Sequence, residues 1–327
     1  MRILCAVVLA SVLAVAAPAQ AQTRIAVIVV DFASSDPAPS TNMDVIRRTM
    51  GDVEAFYLEQ SYHRFSFTSD VWGPYRVDDS TVLAATSGFE ARRALAMIAR
   101  QAASDDGVDV SVYDGFVYVS PVMPLIAGGY GDRSGVWIAI AWYPTIRFQI
   151  AAHELGHHLF SLPHAEAAGD TGGSSIDVMG AGSGHFNAIT KDRLGWMTES
   201  ERQIATTDGD YFLTPFETVG GVKTLILTGG TQKAPRTYYV EYRQAIGFDA
   251  YLPLVDPSNL YHGAVVHLDW FSRSILQELT PTSNGRADTP ALLVGQTWCE
   301  GGRKLSLRTV SATPEGLWVR VSTRHCR

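Results

Sequence analysis

Two histidines four residues apart in an almost wholly apolar stretch constrain this chain more than any other feature of its 327 residues. The stretch is A-A-H-E-L-G-H-H-L-F-S-L-P-H-A, residues 151 to 165, which contains His-Glu-x-x-His as His153, Glu154 and His157. On a helix, positions i and i+4 share a face, so His153 and His157 can put two imidazole nitrogens on one ion. Zinc takes nitrogen ligands at about 2.0–2.1 Å, and a reactive site keeps one position for water. Glu154, adjacent to His153, falls outside that pair and is placed to take a proton from the water. Ile150, Ala151, Ala152, Leu155, Leu159, Phe160 and Leu162 make the surroundings apolar, where imidazoles and a carboxylate are costly to bury without a partner. A third ligand has to come from the chain after the helix. His164 is the candidate, with the carboxylates of Asp170 or Glu166 as alternatives. His158 lies about 100° round the helix from His157 and reads as a supporting or core histidine.

Further motifs follow. Gly169-Asp170 precedes D-V-M-G (Asp177 to Gly180), H-F-N-A (His185 to Ala188) and K-D-R-L-G-W (Lys191 to Trp196). A histidine-bearing helix followed by a turn around a methionine resembles the metzincin metalloproteases. Within that clan, the series resembles the gametolysin-like peptidases and their relatives of the immune-inhibitor-A type. The resemblance implies one catalytic zinc on His153, His157 and His164, with Glu154 as general base. Met179 would be an apolar floor beneath the site and not a ligand. The implied activity is that of a secreted zinc-dependent endopeptidase whose partners are protein or peptide substrates. His185 and Tyr130 are candidate donors to the developing oxyanion; for His185, a structural hydrogen bond within the Met179 loop is the competing reading.

The chain departs from the family pattern at one place. Metzincins read H-E-x-x-H-x-x-G-x-x-H, with five residues between the second and third histidines. Here six residues separate His157 from His164, and Phe160 stands where a glycine would turn the chain back. The expectation is a helix ending one residue later, with Pro163 forcing Leu162 out of the helical region. This departure motivates one rival function, a secreted binding or adhesion protein that no longer cuts. A second rival is a zinc hydrolase acting on cell-wall peptide amides.

Residues 1–21 carry Arg2, an apolar run from Ile3 to Ala17, and Ala19-Gln20-Ala21 as a small-x-small cleavage pattern. They read as a secretory signal peptide cleaved after Ala21. A membrane span needs about 20 apolar residues, and no later segment offers them, so the expected product is extracellular or periplasmic. Cys5 leaves with the signal, and an oxidising compartment predicts one disulfide between Cys299 and Cys326. A net charge of −7 without a basic run argues against nucleic acid as a partner. Asp105, Asp106 and Asp109 read as a solvated turn, since no Asp-x-Asp-x-Asp-Gly series supports calcium (Ca2+) there or elsewhere.

The expected fold class is α+β. A metzincin-like catalytic domain, a mixed twisted sheet plus the active-site helix, would span residues 22–200, and an all-β sandwich-like domain residues 201–327. R-I-A-V-I-V-V-D-F (Arg24 to Phe32) reads as a central buried strand, and its nearness to the cleavage site leaves no room for a sizeable inhibitory propeptide. One helix starts at Thr41 or Asn42 and buries Val45, Ile46, Met50, Val53, Phe56 and Tyr57. A second spans Gly88 to Ala103 with Phe89, Ala91, Leu95, Ile98 and Ala102 at helical spacing. Ser61 to Tyr75 alternates as strand; the similar passage of the family carries glycine where this chain has His63, which is taken as structural. The glycine-rich segment Ala127 to Gly135 lacks the Gly-Lys-Ser/Thr of a phosphate loop. Val136 to Trp142 is the candidate edge strand on which, by the resemblance, extended substrate would add. After Thr207 short strands alternate with turn residues, as in Lys223–Thr228, Thr237–Arg243, Gly263–Trp270, Lys304–Val310 and Leu317–Ser322. The Y-Y-x-E-Y-R and L-L-V-G-Q-T passages there extend the resemblance over nearly the whole chain. His262 and His267 receive no role.

Overall fold

The computed structural model describes residues 22–34, 42–122, 128–140, 146–168, 173–255, 260–279, 291–301 and 305–323. The expected signal peptide, Asp170 and Cys326 lie outside the described residues. Cys299 ends a strand near the C-terminus.

The run Thr23–Phe32 forms β1, flanked by β2 (Phe67–Val77) and β3 (Gly115–Ser120). Beyond β3 come β5 (Gly135–Ala139) and then β4 (Gly129–Asp132), giving the sheet order β2-β1-β3-β5-β4. All neighbours pair in parallel except β4 with β5. β1 is apolar at consecutive positions because both of its faces are covered. Ile25, Val27 and Val29 pack with Ile46, Met50 and Val53 of α1 (Met43–Gln60) and with Ala151, Ala152 and Leu155 of the histidine helix. Ala26, Ile28 and Val30 pack on the other face, beyond a one-turn α2 (Ser80–Leu83), against α3 (Gly88–Asp105). Six alternating side chains thus feed two cores from one strand.

Of the two caps expected for α1 the structure uses Asn42, whose side chain accepts from the amides of Asp44 and Val45. Two details differ from expectation. The buried line of α3 is Ala91, Leu95, Ala99 and Ala103, a small-residue face that lets the helix lie close to the sheet, and Phe89 is left 64% exposed. The segment Val136 to Trp142 does not supply the sheet edge. β5 is internal, its strand ends at Ala139, and β4 is the outer strand among the described residues. At the end of α1, Tyr62 and His63 both adopt left-handed φ values, 54° and 62°. A glycine would meet this backbone conformation without strain.

The histidine helix is α4 (Phe148–Phe160), followed by β6 (Ala165–Ala167) and α5 (Ala188–Arg193). The remaining chain is mostly strands: β7 (Arg202–Ile204), β8 (Gly209–Leu213), β9 (Thr224–Thr231), β10 (Ala234–Glu241), β11 (Gly263–Trp270), β12 (Arg273–Leu276), β13 (Leu292–Leu293), β14 (Thr297–Cys299), β15 (Ser306–Thr313) and β16 (Gly316–Ser322). One sheet runs β6-β12-β11-β10-β9-β7 with β13 on β11, and another runs β14-β15-β16-β8. Leu225, Leu227, Val240 and Val266 of the first share a core with Leu307, Leu317, Val319 and Val321 of the second. The molecule is therefore a mixed α/β protein with several sheets. β6, directly after the histidine helix, is a strand of the later sheet.

A buried charge network joins these parts. Arg243, fully buried, donates from Nε to Glu241 at 2.8 Å and from a terminal nitrogen to Asp249 at 3.0 Å. The same terminal nitrogen donates to the carbonyls of Ile176 and His185, each at 3.1 Å. Glu241 also accepts from the Ala188 amide at 2.8 Å and pairs with His267 Nε2 at 3.1 Å. Burial alone would raise the Glu241 carboxyl, but Arg243 and His267 more than offset it and hold it at about 2. A depressed carboxyl adds stability that is complete above the ordinary value of 4.5 and is lost as pH falls towards 2. Arg243→Met should therefore cost about 3–5 kcal/mol, because two buried carboxylates lose their cation. Urea melts at pH 7 and at pH 3 check this: the loss should shrink at pH 3, and an equal loss at both would show that the ion pairs are not its source.

Candidate metal centre

Helix α4 carries His153 and His157 one turn apart, and both imidazoles are oriented by carbonyls from later in the chain. His153 Nδ1 lies 2.7 Å from the Val178 carbonyl, and His157 Nδ1 lies 2.6 Å from that of Leu162. A carbonyl only accepts, so each Nδ1 carries the proton and each Nε2 presents a lone pair. The three Nε2 atoms of His153, His157 and His164 converge. His157 is 3.1 Å from His153 and 3.2 Å from His164, and one nitrogen from each of the three lies within 4.8 Å of the others. Burial depresses His153 to about 4 and lowers His157, so both are neutral at pH 7. Neutral lone pairs turned on one another repel unless a cation lies between them. Two nitrogens on a tetrahedral zinc, at about 2.0–2.1 Å each, stand about 3.3 Å apart, so these spacings and this donor set fit that metal.

His164 reaches the cluster because of Ser161. The helix continues through Phe160, and Ser161 then takes a left-handed conformation, φ 53° and ψ 37°. The amides of Ser161 and Leu162 close back on the carbonyls of His157 and Gly156. The reversal therefore falls three residues before His164, the same interval that separates glycine from the third histidine in the family pattern. The additional residue belongs to the helix. Phe160 is thereby kept helical and packs its ring against Phe65 and Trp196, at centroid distances of 4.9 and 5.4 Å. Of the alternative ligands, Glu166 is paired with Arg273 at 2.7 Å and stands outside the cluster.

Glu154 is buried against β4. Burial raises its carboxyl to about 7, while a hydrogen bond from the Gly131 amide works in the opposite direction. Strand and helix are in direct backbone contact there. A β-carbon on Gly131 would stand 2.3 Å from the Glu154 carbonyl oxygen, and one on Gly129 would meet Ile150 and the Glu154 side chain at 2.6 and 2.9 Å. The glycine run that resembled no phosphate loop is thus explained by close approach. Gly156 does the same beneath the helix, where a β-carbon would lie 2.5 Å from Met179 Sδ. Met179 is 1% exposed, in a loop held by Asp177, which accepts from the Met179 amide and from both nitrogens of Asn187.

Both candidate oxyanion donors are placed elsewhere. His185 is fully buried, with Nε2 2.9 Å from Glu59 and Nδ1 3.1 Å from Lys191 Nζ, so it has no donor free for a substrate. Tyr130 follows the alternation of β4. Since Gly129 and Gly131 face α4, it points to the opposite face, where its ring lies under Arg92. His158 packs against the sheet, with Nδ1 2.7 Å from the Asp132 carbonyl. The groups missed from sequence are the Gly131 amide and the Val178 and Leu162 carbonyls. Backbone groups leave no residue-type signal, although the glycine run itself was visible.

A family model described as gametolysin peptidase M11 matches residues 24–238. No curated protein matches the chain. Among solved structures, two crystal forms of wild-type OgpA from Akkermansia muciniphila are similar at 14% and 15% identity. Each alignment covers 68% of this chain and 71% of that one, with a TM-score of 0.36.

Gly131→Ala should push β4 away from α4 and remove the amide donated to Glu154. The expected loss is about 1–3 kcal/mol, visible as a lower Tm, whereas Gly51→Ala in helix α1, where an added β-carbon meets nothing within 4 Å, should cause no loss. A Gly131→Ala protein as stable as wild type would refute the backbone contact.

Proposed function

The chain belongs to the gametolysin M11 peptidase family, a metallopeptidase family, and from that premise we propose that it is a secreted zinc endopeptidase cutting protein or peptide substrates. The observation that carries the proposal is the convergence of three imidazole Nε2 atoms, two of them, with lone pairs set by carbonyls at Nδ1, on a helix that also carries the buried Glu154. His153, His157 and His164 would hold the ion. Zinc in such a site supplies Lewis acidity and lowers the pKa of water at its open position.

The remaining work falls to the chain's own groups. The Val178 and Leu162 carbonyls keep the imidazoles in the neutral tautomer that can ligate. Glu154 takes the proton of the attacking water and returns it to the leaving amine. The Gly131 amide fixes that carboxylate, and the packing of β4 on α4 shields it from bulk water. β4, as the outer strand, would bind extended substrate by strand addition. Met179 would support the site from beneath without ligating, in the metzincin manner. No described helix is long and apolar enough to cross a membrane. Export by residues 1–21, a Cys299–Cys326 disulfide, and division into a catalytic domain to residue 200 and a β-sandwich beyond belong to the same proposal. The shared core of the two later sheets supports the last of these.

Glu154→Gln should retain zinc while losing about 10²–10⁴-fold in casein hydrolysis; a variant that still cuts would remove Glu154 from the role of base. Dialysis against a chelator should abolish cleavage and lower Tm, and zinc at about 100 times Kd should restore about 2.7 kcal/mol. A protein that binds zinc and digests peptidoglycan but not casein would favour the cell-wall amide reading. The base must be ionised, so kcat/KM should fall as pH drops through its pKa. Burial alone sets that near 7 and an adjacent cation lowers it, so the acid limb should lie below about 7. A rate independent of pH from 7 to 4 would count against Glu154.

A further inference from the structure

On the face of the sheet opposite α4, a groove of about 350 Å³ runs between α3 and the β4–β5 hairpin. Phe89 and Met97 stand at it 64% and 63% exposed, with Trp137 forming an apolar wall. Three arginines line it, which is out of character for a chain of net charge −7. Arg92 lies 3.7 Å above the Tyr130 ring, and Arg100 lies 3.9 Å above that of Phe116 with Nε donating to the Tyr118 hydroxyl. Arg93 is exposed. None of the three forms an ion pair among the described residues. The lining includes one carboxylate, Asp132, which already accepts from the Ser134 amide and hydroxyl.

Stacking on an aromatic face holds a guanidinium plane while leaving N–H edges unspent, the geometry that receives a carboxylate in bidentate fashion. The groove also borders the strand on which extended peptide would add. Positions 129 and 131 of β4 face α4 at Ile150 and Glu154, whereas Tyr130 and Asp132 face α3. A peptide paired to the outer edge of β4, unpaired among the described residues, keeps this pleat, so every second side chain falls on the α3 side. We infer that this groove is a specificity subsite that selects acidic side chains at alternate positions of an extended substrate, an inference that rests on the peptidase reading. The aliphatic part of a glutamate would lie along Phe89 and Met97, with its carboxylate on Arg92 and Arg93.

The test uses a blocked 12-residue peptide alternating Glu and Ala, and its Gln counterpart. Calorimetric titration into full-length Glu154→Gln protein reads binding without turnover. The Glu peptide should bind about tenfold tighter, the scale of one charge-assisted contact, with the advantage shrinking as salt is raised. Adding Arg92→Gln and Arg93→Gln should abolish the advantage, and Arg92→Lys with Arg93→Lys should keep part of it; circular dichroism of each variant shows whether α3 remains folded. Equal affinities, or an advantage that survives the glutamine changes in a folded protein, would overturn the subsite. Wild-type hydrolysis separates this from the parent reading. Cleavage of both peptides at equal kcat/KM refutes the subsite and keeps the peptidase, while acid-selective binding with no cleavage of either refutes the peptidase and keeps the groove's selectivity.

Discussion

The site depends on two hydrogen bonds between imidazoles and main-chain carbonyls. Without the Val178 and Leu162 carbonyls, the Nε2 atoms of His153 and His157 would have no reason to face one point. Both carbonyls lie after the helix, so the cluster exists only once the chain has reversed and returned. The Leu162 carbonyl is set by the left-handed turn at Ser161, and Val178 by the loop around Met179. A set of lone pairs gathered in this way is electrostatically unfavourable alone, which is the sense in which the fold is prepared for a cation.

That preparation extends into the later sheets. The Met179 loop is tied through Asp177 to Asn187, and the Ala188 amide that follows donates to Glu241. Glu241 is bound in turn to Arg243, which also holds the Ile176 and His185 carbonyls. Helix, loop and strand are therefore parts of one buried polar assembly. Its charges are fully withdrawn from water, where a missing partner leaves the full desolvation cost uncompensated. His185 and Lys191 belong to this assembly: both are fully buried, and Lys191 Nζ lies 3.1 Å from His185 Nδ1.

Glycine has a third kind of effect on the architecture. Gly129 and Gly131 let an outer strand rest on the backbone of α4, and Gly156 lets a thioether rest beneath it. The alternation that removes side chains from one face of β4 also sends Tyr130 and Asp132 to the other. Two environments, one around Glu154 and one lined by arginines, are thus set on opposite sides of a four-residue strand.

Periodicity and residue chemistry, both local, made much of this legible in the sequence alone. The i, i+4 histidines, the neighbouring carboxylate, the doubly buried first strand and the two long helices needed only spacing and polarity to be read. The series from His153 to Trp196 was enough to recognise the family. Tertiary structure decided what depends on contacts distant in sequence. It brought His164 to the other two histidines and left Glu166 outside, paired with Arg273, a residue 107 positions away. It placed β4 rather than β5 at the sheet edge and withdrew His185 and Tyr130 from the site. Each of these follows from which distant segments the fold brings together, and residues far apart in the chain carry no local signal of that meeting.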